Sequence, residues 1–392
     1  MSGANASPIG RSHQEMSGAN ASPIGRSHQE MSGANASPIG RSLKKWRRHQ
    51  QMTRRFFAVL ILIALAMPLA AQTKTTWTAP KTPWGDPDLQ GQWPAVANIP
   101  MQRPAGFGTR AFLTDEELTQ REQQAQRQQE SDNEVFAKNA QSVTINPPSY
   151  WQERQKPNRQ ASLVVDPPNG RIPPMTPEGQ KFVQSLRGGL GPGQHFPDKV
   201  DSWEDFDIYS RCITRGLVSS MLPTIYNFGN QIVQAPGFVV IRNEMIHEAR
   251  VIPLDGRPHV GSGIRSYMGD PRGHWEGNTL VVETINFNDQ TGAGGGFFSD
   301  AAKVTERFTR VAQDELSYDL TIDDPKTWTR SWTIHMPYRL DPSYNIYEYA
   351  CHEGNYMMLD SLEAARQLEK EGKSTRVDRG AAGGPPPGNQ NQ

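Results

Sequence analysis

The spacing of apolar positions changes along the chain. From residue 73 to about 112 no period of two or 3.6 persists, and the stretch TPWGDPDLQGQW reads as an extended segment anchored on a surface by Trp84, Leu89 and Trp93. A helix starts at Thr114, where Glu117 completes a capping box and Leu113 and Leu118 take the staple positions. It continues through Gln- and Glu-rich sequence over 114–140, with too few apolar positions to be anything but solvent-exposed. Residues 141–200 are broken by Pro147-Pro148, Pro167-Pro168, Pro173-Pro174 and Gly188-Gly189. One short strand at Ala161 to Val165 and one short helix after Pro177 are expected there.

From Gln231 the spacing shortens to two. Strands are expected over Ile232 to Gln234, Phe238 to Ile241, Glu248 to Leu254, Leu280 to Phe287, Val304 to Val311 and Leu316 to Ile322. In the last of these Leu316, Tyr318, Leu320 and Ile322 face one way and Ser317, Asp319 and Thr321 the other, as in a half-buried antiparallel strand. The pattern continues through Trp328, Trp332, Ile334 and Met336 to a final strand at Ile346 to Cys351, followed by an amphipathic helix over Met357 to Lys370. Short turns between consecutive strands require antiparallel pairing. The expected fold is therefore mainly β: an antiparallel sheet curled into a barrel or half-barrel, lipocalin-like by analogy, with an N-terminal Pro-rich wrap and a few short helices. A two-sheet sandwich is the alternative.

The N-terminus changes the organisation. A fifteen-residue unit, MSGANASPIGRSHQE, occurs at 1–15 and 16–30 and recurs in part at 31–42, too polar to stack into a core, so 1–51 reads as a disordered low-complexity leader. Residues 52–71 have the form of a signal peptide: Arg54 and Arg55, an apolar run from Phe56 to Met67, and small residues at Ala70-Ala71. That run is shorter than the ~20 residues a membrane span needs, so export with cleavage and no remaining transmembrane span is expected, to the periplasm or outside the cell. The remaining divisions are a wrap over 72–200, an antiparallel β domain with its closing helix over 201–370, and a disordered tail over 371–392.

Nine of the 41 basic and two of the 41 acidic residues precede Gln72, so the mature chain carries a net charge of −7. That excludes the electrostatic footprint of a nucleic-acid binder. Cys212 and Cys351 in an exported chain are expected to pair, with two free buried thiols as the alternative.

Several stretches together, namely WGDPDLQGQW, RCITRG, QIVQAPGFVVI, MIHEARVIPLDGRPH, GDPRGHWEGNTLVVETINF and YEYACHEGNY, resemble those of a family of exported proteins of soil bacteria. The resemblance spans most of residues 80–365. It implies export and a shared fold and assigns no catalytic residue.

Candidate chemistry is sparse. The mature chain has His195, His247, His259, His274, His335 and His352 in no HxH or HExxH spacing, and there is no GxSxG or phosphate-loop motif. A metal would require ligands converging from separate strands, for example His247, His259 and His274, so no metal site is assigned and the cofactor is left open. Glu283 stands out because alternation places it with Val281, Ile285 and Phe287, an apolar face on which a carboxyl would favour its neutral form and serve as acid or base with His247 or His274. The plain alternative is an ion pair with Arg250, Arg265 or Arg307. Gly273 and Gly277-Asn278 mark GHWEG as turn sequence leading into that strand. Trp275, Phe287, Tyr318, Trp332 and Tyr349 are candidates to line a ligand cavity, or are simple core. The glycine-rich segment TGAGGGFF at 291–298 reads as a mobile loop whose two Phe close over such a cavity, or as a plain hairpin connection. The leading expectation is an exported protein binding a small, largely apolar molecule. The rivals are a hydrolase or isomerase using a buried Glu with a His, and a non-catalytic cell-envelope interaction protein.

Overall fold

The computed structural model describes residues 77–138, 156–185, 197, 199–224 and 226–375. The leader repeat, the signal peptide and the tail beyond Ser374 and Thr375 therefore lie outside the described residues. In chain order the strands are β1 (Gly91–Gln92), β2 (Ala97–Asn98), β3 (Lys156–Pro157), β4 (Val164–Asp166), β5 (Asn230–Ala235), β6 (Phe238–Asn243) and β7 (Ala249–Pro253). They continue with β8 (Asp270–Glu276), β9 (Thr279–Ile285), β10 (Gly292–Ala293), β11 (Gly296–Phe297), β12 (Lys303–Ala312), β13 (Glu315–Asp323) and β14 (Trp332–Arg339). The helices are α1 (Asp115–Lys138), α2 (Pro177–Gln184), α3 (Leu217–Ser220) and α4 (Tyr356–Lys370).

Strict alternation builds the larger sheet. Its six strands run β4-β14-β13-β12-β9-β8, and every pairing is antiparallel. In register, Phe308 lies opposite Tyr318 and Leu280, and Leu320 lies opposite Glu306 and Ile334. Leu280, Val282, Val304, Phe308, Leu316, Tyr318, Leu320, Ile322, Trp332, Ile334, Met336 and Tyr338 all turn inward and are buried. A four-stranded antiparallel sheet, β1-β5-β6-β7, contributes Ile232, Val239, Ile241 and Ile252 to the same core.

Neither sheet closes on itself. The larger one ends at β4 and β8, the smaller at β1 and β7, so among the described residues there is no closed barrel. The expected single curled sheet is two antiparallel sheets over one core. Where the chain passes from one to the other, Gly273 of β8 sits so close that a Cβ there would come within 2.6 Å of Leu254 and 2.9 Å of Ile252.

The N-terminal wrap is anchored by two of its three expected residues and not by the third. Leu89 and Trp93 are fully buried, the Trp93 amide donates to the Asn230 carbonyl at 2.7 Å, and Trp84 stays exposed. The box at the start of α1 is formed: the Thr114 amide donates to Glu117 Oε2 at 2.9 Å, and the Glu117 amide to Thr114 Oγ1 at 3.3 Å. Cys212 and Cys351 are joined by a disulfide, with Cα atoms 5.7 Å apart across 139 residues of sequence. No helix among the described residues is long and apolar enough to cross a membrane.

Three expectations need correction. GHWEG is not merely a turn, because Gly273 to Glu276 belong to strand β8 and only Gly277-Asn278, with Gly277 at φ 61°, makes the hairpin to β9. The segment 291–298 forms the small β10–β11 hairpin, and Phe298 is locked in the core against Phe287 and Trp328. Ile346 to Cys351 forms no strand: the Tyr347 amide donates to the Glu244 carboxylate and the Cys351 amide to the Tyr349 carbonyl.

Candidate functional site

Chain segments distant in sequence converge at the end of the smaller sheet where β5 begins and β6 ends. Beneath them lies a buried polar layer. Asn243 Nδ2 donates to Asn230 Oδ1 at 2.6 Å and to the Ser220 carbonyl at 3.2 Å. Just past β6, the buried Glu244 carboxylate accepts from Asn227 Nδ2 (2.9 Å) and the Tyr347 amide (3.2 Å) on one oxygen. The other oxygen accepts from the Tyr344 hydroxyl (2.7 Å) and the Gly229 amide (3.3 Å). Four donors occupy the carboxylate, which makes Glu244 a pin for the coil around 344–347 rather than a free base. This is why the stretch before Cys351 lays itself on the sheet end instead of pairing as a strand.

The pinned coil carries Tyr349 toward Arg215. The Arg215 guanidinium carbon lies 5.7 Å from the centroid of the Tyr209 ring. Tyr209, Tyr226 and Tyr349 surround it, their hydroxyls hydrogen-bonded to one another, and the Tyr209 hydroxyl also reaches Met245 Sδ at 3.9 Å. Burial lowers the proton affinity of Arg215, against the pull of the three tyrosines, and a guanidinium stays charged regardless. Burial likewise raises the Tyr226 and Tyr349 hydroxyls above the usual tyrosine value, so they remain protonated donors at neutral pH. Arg211, four residues before Arg215, stacks 5.0 Å over Trp203 and has a buried Nε without a partner.

Backbone strain is concentrated in the same place. Among the described residues four non-glycines have positive φ, and three of them, Cys212 (56°), Asn227 (54°) and Ile246 (59°), belong to these segments. A β-branched residue such as Ile246 in the left-handed region is an outlier that persists only where its surroundings enforce it, a pattern concentrated at binding and catalytic sites. The disulfide adds a covalent tie, joining the segment of Arg215 to that of Tyr349.

The sequence-derived candidates fall mostly elsewhere. Glu283 lies on the outer face of β9, 40% exposed, paired with Lys303 of β12 rather than with Arg250, Arg265 or Arg307. Unbroken alternation would set it on one face with Val281, Ile285 and Phe287. Asn286, at φ 60°, breaks the alternation and turns Phe287 into the core. His274 is exposed, 3.3 Å from Glu276, which in turn binds Arg307 at 2.7 Å. His247 lies in the turn Met245–His247, next to Ile246 and so beside the convergent segments. His259 pairs with Asp270 at 3.1 Å, and among the described residues no three His, Cys, Asp or Glu side chains gather in a way that would hold a metal ion.

Of the aromatic candidates, Phe287, Tyr318 and Trp332 are sealed in the core. Tilted and edge-on ring contacts join Phe287 through Phe298 and Trp328 to Trp332, and Phe308 through Tyr318 to Tyr338. Trp275 is partly buried against that core, and its Nε1 finds no acceptor. Only Tyr349 belongs to the convergent cluster.

No family model matches the sequence, and no curated protein is significantly similar to it.

Arg215, Tyr209, Tyr226 and Glu244 were not singled out in the sequence. The available signal was that RCITRG, MIHEARV and YEYACHEGNY, three of the stretches that carry the resemblance, each supply part of this cluster.

Proposed function

We propose that the chain is an exported small-molecule-binding protein whose ligand sits at the Arg215–tyrosine cluster, outside the sheet interior. The observation that carries this is the Arg215 guanidinium, partly buried and set over the Tyr209 ring with Tyr226 and Tyr349 beside it. A ligand offering acceptor oxygens would take charge-assisted hydrogen bonds from that guanidinium. The strained residues Cys212, Asn227 and Ile246 around it suit a preorganised site.

The interior offers less room for a ligand, because Trp328, Trp332, Phe298, Tyr318 and Tyr338 fill it with one another. The half-barrel reading belongs to this proposal as the form of the support: two sheets curling around one core, with β7 leading into β8 past Gly273. Export through residues 52–71 is supported by the leader sequence and by a disulfide suited to an oxidising compartment. Native mass spectrometry of protein purified from the periplasm is the test. The expected result is a retained small molecule that Arg215→Met loses, and equal retention by that variant would refute the location.

A further inference from the structure

We infer that the stretch from Asp255 to Tyr267 is an acid-released flap, clasped at its middle by the carboxylate of Asp270 and anchored at its two ends.

The flap has little packing to hold it. It joins β7 to β8, and from 255 to 266 every residue is exposed except His259, which is partly buried. Val260 and Ile264 face water, Ile264 at 66% exposure, and Gly256, Gly261 and Gly263 meet nothing where a Cβ would stand. A segment with so few buried apolar contacts opens at low cost once its hydrogen bonds are loosened.

The clasp lies at 258–260. Asp270 Oδ2 accepts from the Val260 amide at 2.9 Å and is 3.1 Å from His259 Nδ1. Asp270 Oδ1 accepts from Arg272 Nη1 at 2.5 Å, and Arg272 Nε donates to the Pro258 carbonyl at 3.1 Å. One carboxylate thus both binds the flap and sets the arginine that binds it. The remaining bond to the middle of the flap, from Asn286 Nδ2 to the Val260 carbonyl at 3.0 Å, does not titrate.

The ends are held by backbone. The Leu254 amide donates to the Gly237 carbonyl at 2.8 Å. Ser266 pairs with the chain after β9, its amide donating to the Asn286 carbonyl at 3.1 Å and its carbonyl accepting from the Asn288 amide at 2.8 Å. None of these bonds takes up a proton, so acid lifts the middle and leaves the ends in place.

A protonated Asp270 loses the charge that Arg272 meets and turns one oxygen from acceptor to donor. Burial works to raise this carboxyl, but the Val260 amide, Arg272 and His259 hold it below the ordinary range while the flap is down. A lifted flap leaves it nearer that range, so protons favour the lifted form as pH falls below about 4. Two other carboxylates reach the flap. Asp300 lies 3.9 Å from Arg265 with both partners exposed, a pair that contributes little, and Asp255 binds Arg257 within the flap itself.

A dye on Ile264→Cys, attached to the full chain with its disulfide intact, reports the flap by fluorescence anisotropy. The same dye on Val311→Cys, in the turn between β12 and β13, reports the scaffold. Anisotropy at 264 is expected to fall by about half between pH 5 and pH 3, roughly, while that at 311 holds. Asp270→Asn is expected to show the low value already at neutral pH and to change no further. A flat wild-type profile overturns the proposal, as does a fall shared by both positions, which is global unfolding. An Asp270→Asn profile like that of the wild type overturns it equally. Should that variant fail to fold, the comparison of the two positions in the wild type still decides.

Discussion

Arg250 of the smaller sheet and Glu306 of the larger meet as a two-pronged ion pair, Nη1 to Oε2 at 2.6 Å and Nη2 to Oε1 at 2.9 Å, with both side chains shut away from water. The Tyr318 hydroxyl donates to the same Oε1 at 2.8 Å. Burial works to lower the proton affinity of Arg250, but the charge and hydrogen bonds of Glu306 outweigh it and raise the value. The pair lies between the two sheets, buried in their shared core, and sets them against each other.

Removing one partner leaves the other as an uncompensated buried charge. Glu306→Gln is expected to lower unfolding free energy by about 3–5 kcal/mol, while Arg250→Met with Glu306→Leu costs less than either single change. Urea denaturation of Glu306→Gln, of the double variant and of its two single components measures this, and a single variant within 1 kcal/mol of wild type, roughly, contradicts it.

The disulfide predicts a loss of both stability and ligand. Cys212 is three residues before Arg215 and Cys351 two residues after Tyr349. Replacing both with Ser is expected to cost about 2–5 kcal/mol and to weaken any Arg215-dependent ligand more than Tyr318→Phe does. Thermal melts with and without reductant, alongside the binding assay, show whether the two losses travel together.

Glu283→Gln should change little. Its pair with Lys303 is exposed to water at both ends, and such pairs contribute about 0–1 kcal/mol. A fall in stability beyond 2 kcal/mol, roughly, or loss of a retained ligand would restore Glu283 as a functional residue.

Asp270 predicts a pH dependence. Burial works to raise its carboxyl, but the Val260 amide at 2.9 Å, Arg272 and His259 bind the charged form and hold the value below the ordinary range. A carboxyl lowered on folding contributes stability above its unfolded value of about 3.9, and that contribution is lost as pH falls through the folded value. The stability gap between wild type and Asp270→Asn is therefore expected to be full at pH 5 and to close below about pH 4. A gap that is constant from pH 5 down to pH 2.5, roughly, rules this out.

Gly229→Ala tests the Glu244 pin. A Cβ at that position would fall 2.7 Å from Glu244 Oε2 and 2.9 Å from Ile346, against Tyr344 as well. The coil around 344–347 is expected to lift, costing about 1–3 kcal/mol and exposing the segment to protease. Unchanged cleavage kinetics would show that the coil is held by other contacts.

Much of the sheet was legible because a half-buried strand must alternate. Leu316 to Ile322, the turn at Ala312 to Glu315 and the anchors Leu89 and Trp93 follow from pattern alone. Misreadings arose where a single dihedral interrupts the period. Asn286 inverts the side on which Phe287 points, which put Glu283 on the wrong face. β8 was hidden because Pro271, Gly273 and charged residues obscure its alternation, and the pairing with β9 overrides weak local preference. The cluster itself had no period to display. Arg215, Tyr226, Glu244 and Tyr349 come from coil and strand ends, where sequence neighbours say nothing about who meets whom.

The self-filled interior has a consequence for how this fold diversifies. With Phe298, Trp328 and Trp332 packed in one chain of rings and Phe308, Tyr318 and Tyr338 in another, core positions are committed to holding the scaffold together. Tyr209, Tyr226 and Tyr349 lie outside that core, so on the proposed reading exchanging them would retune the guest without repacking the host. Scaffold and proposed specificity would then be written in separate parts of the chain, the first in alternating strands and the second in three loops gathered at one end.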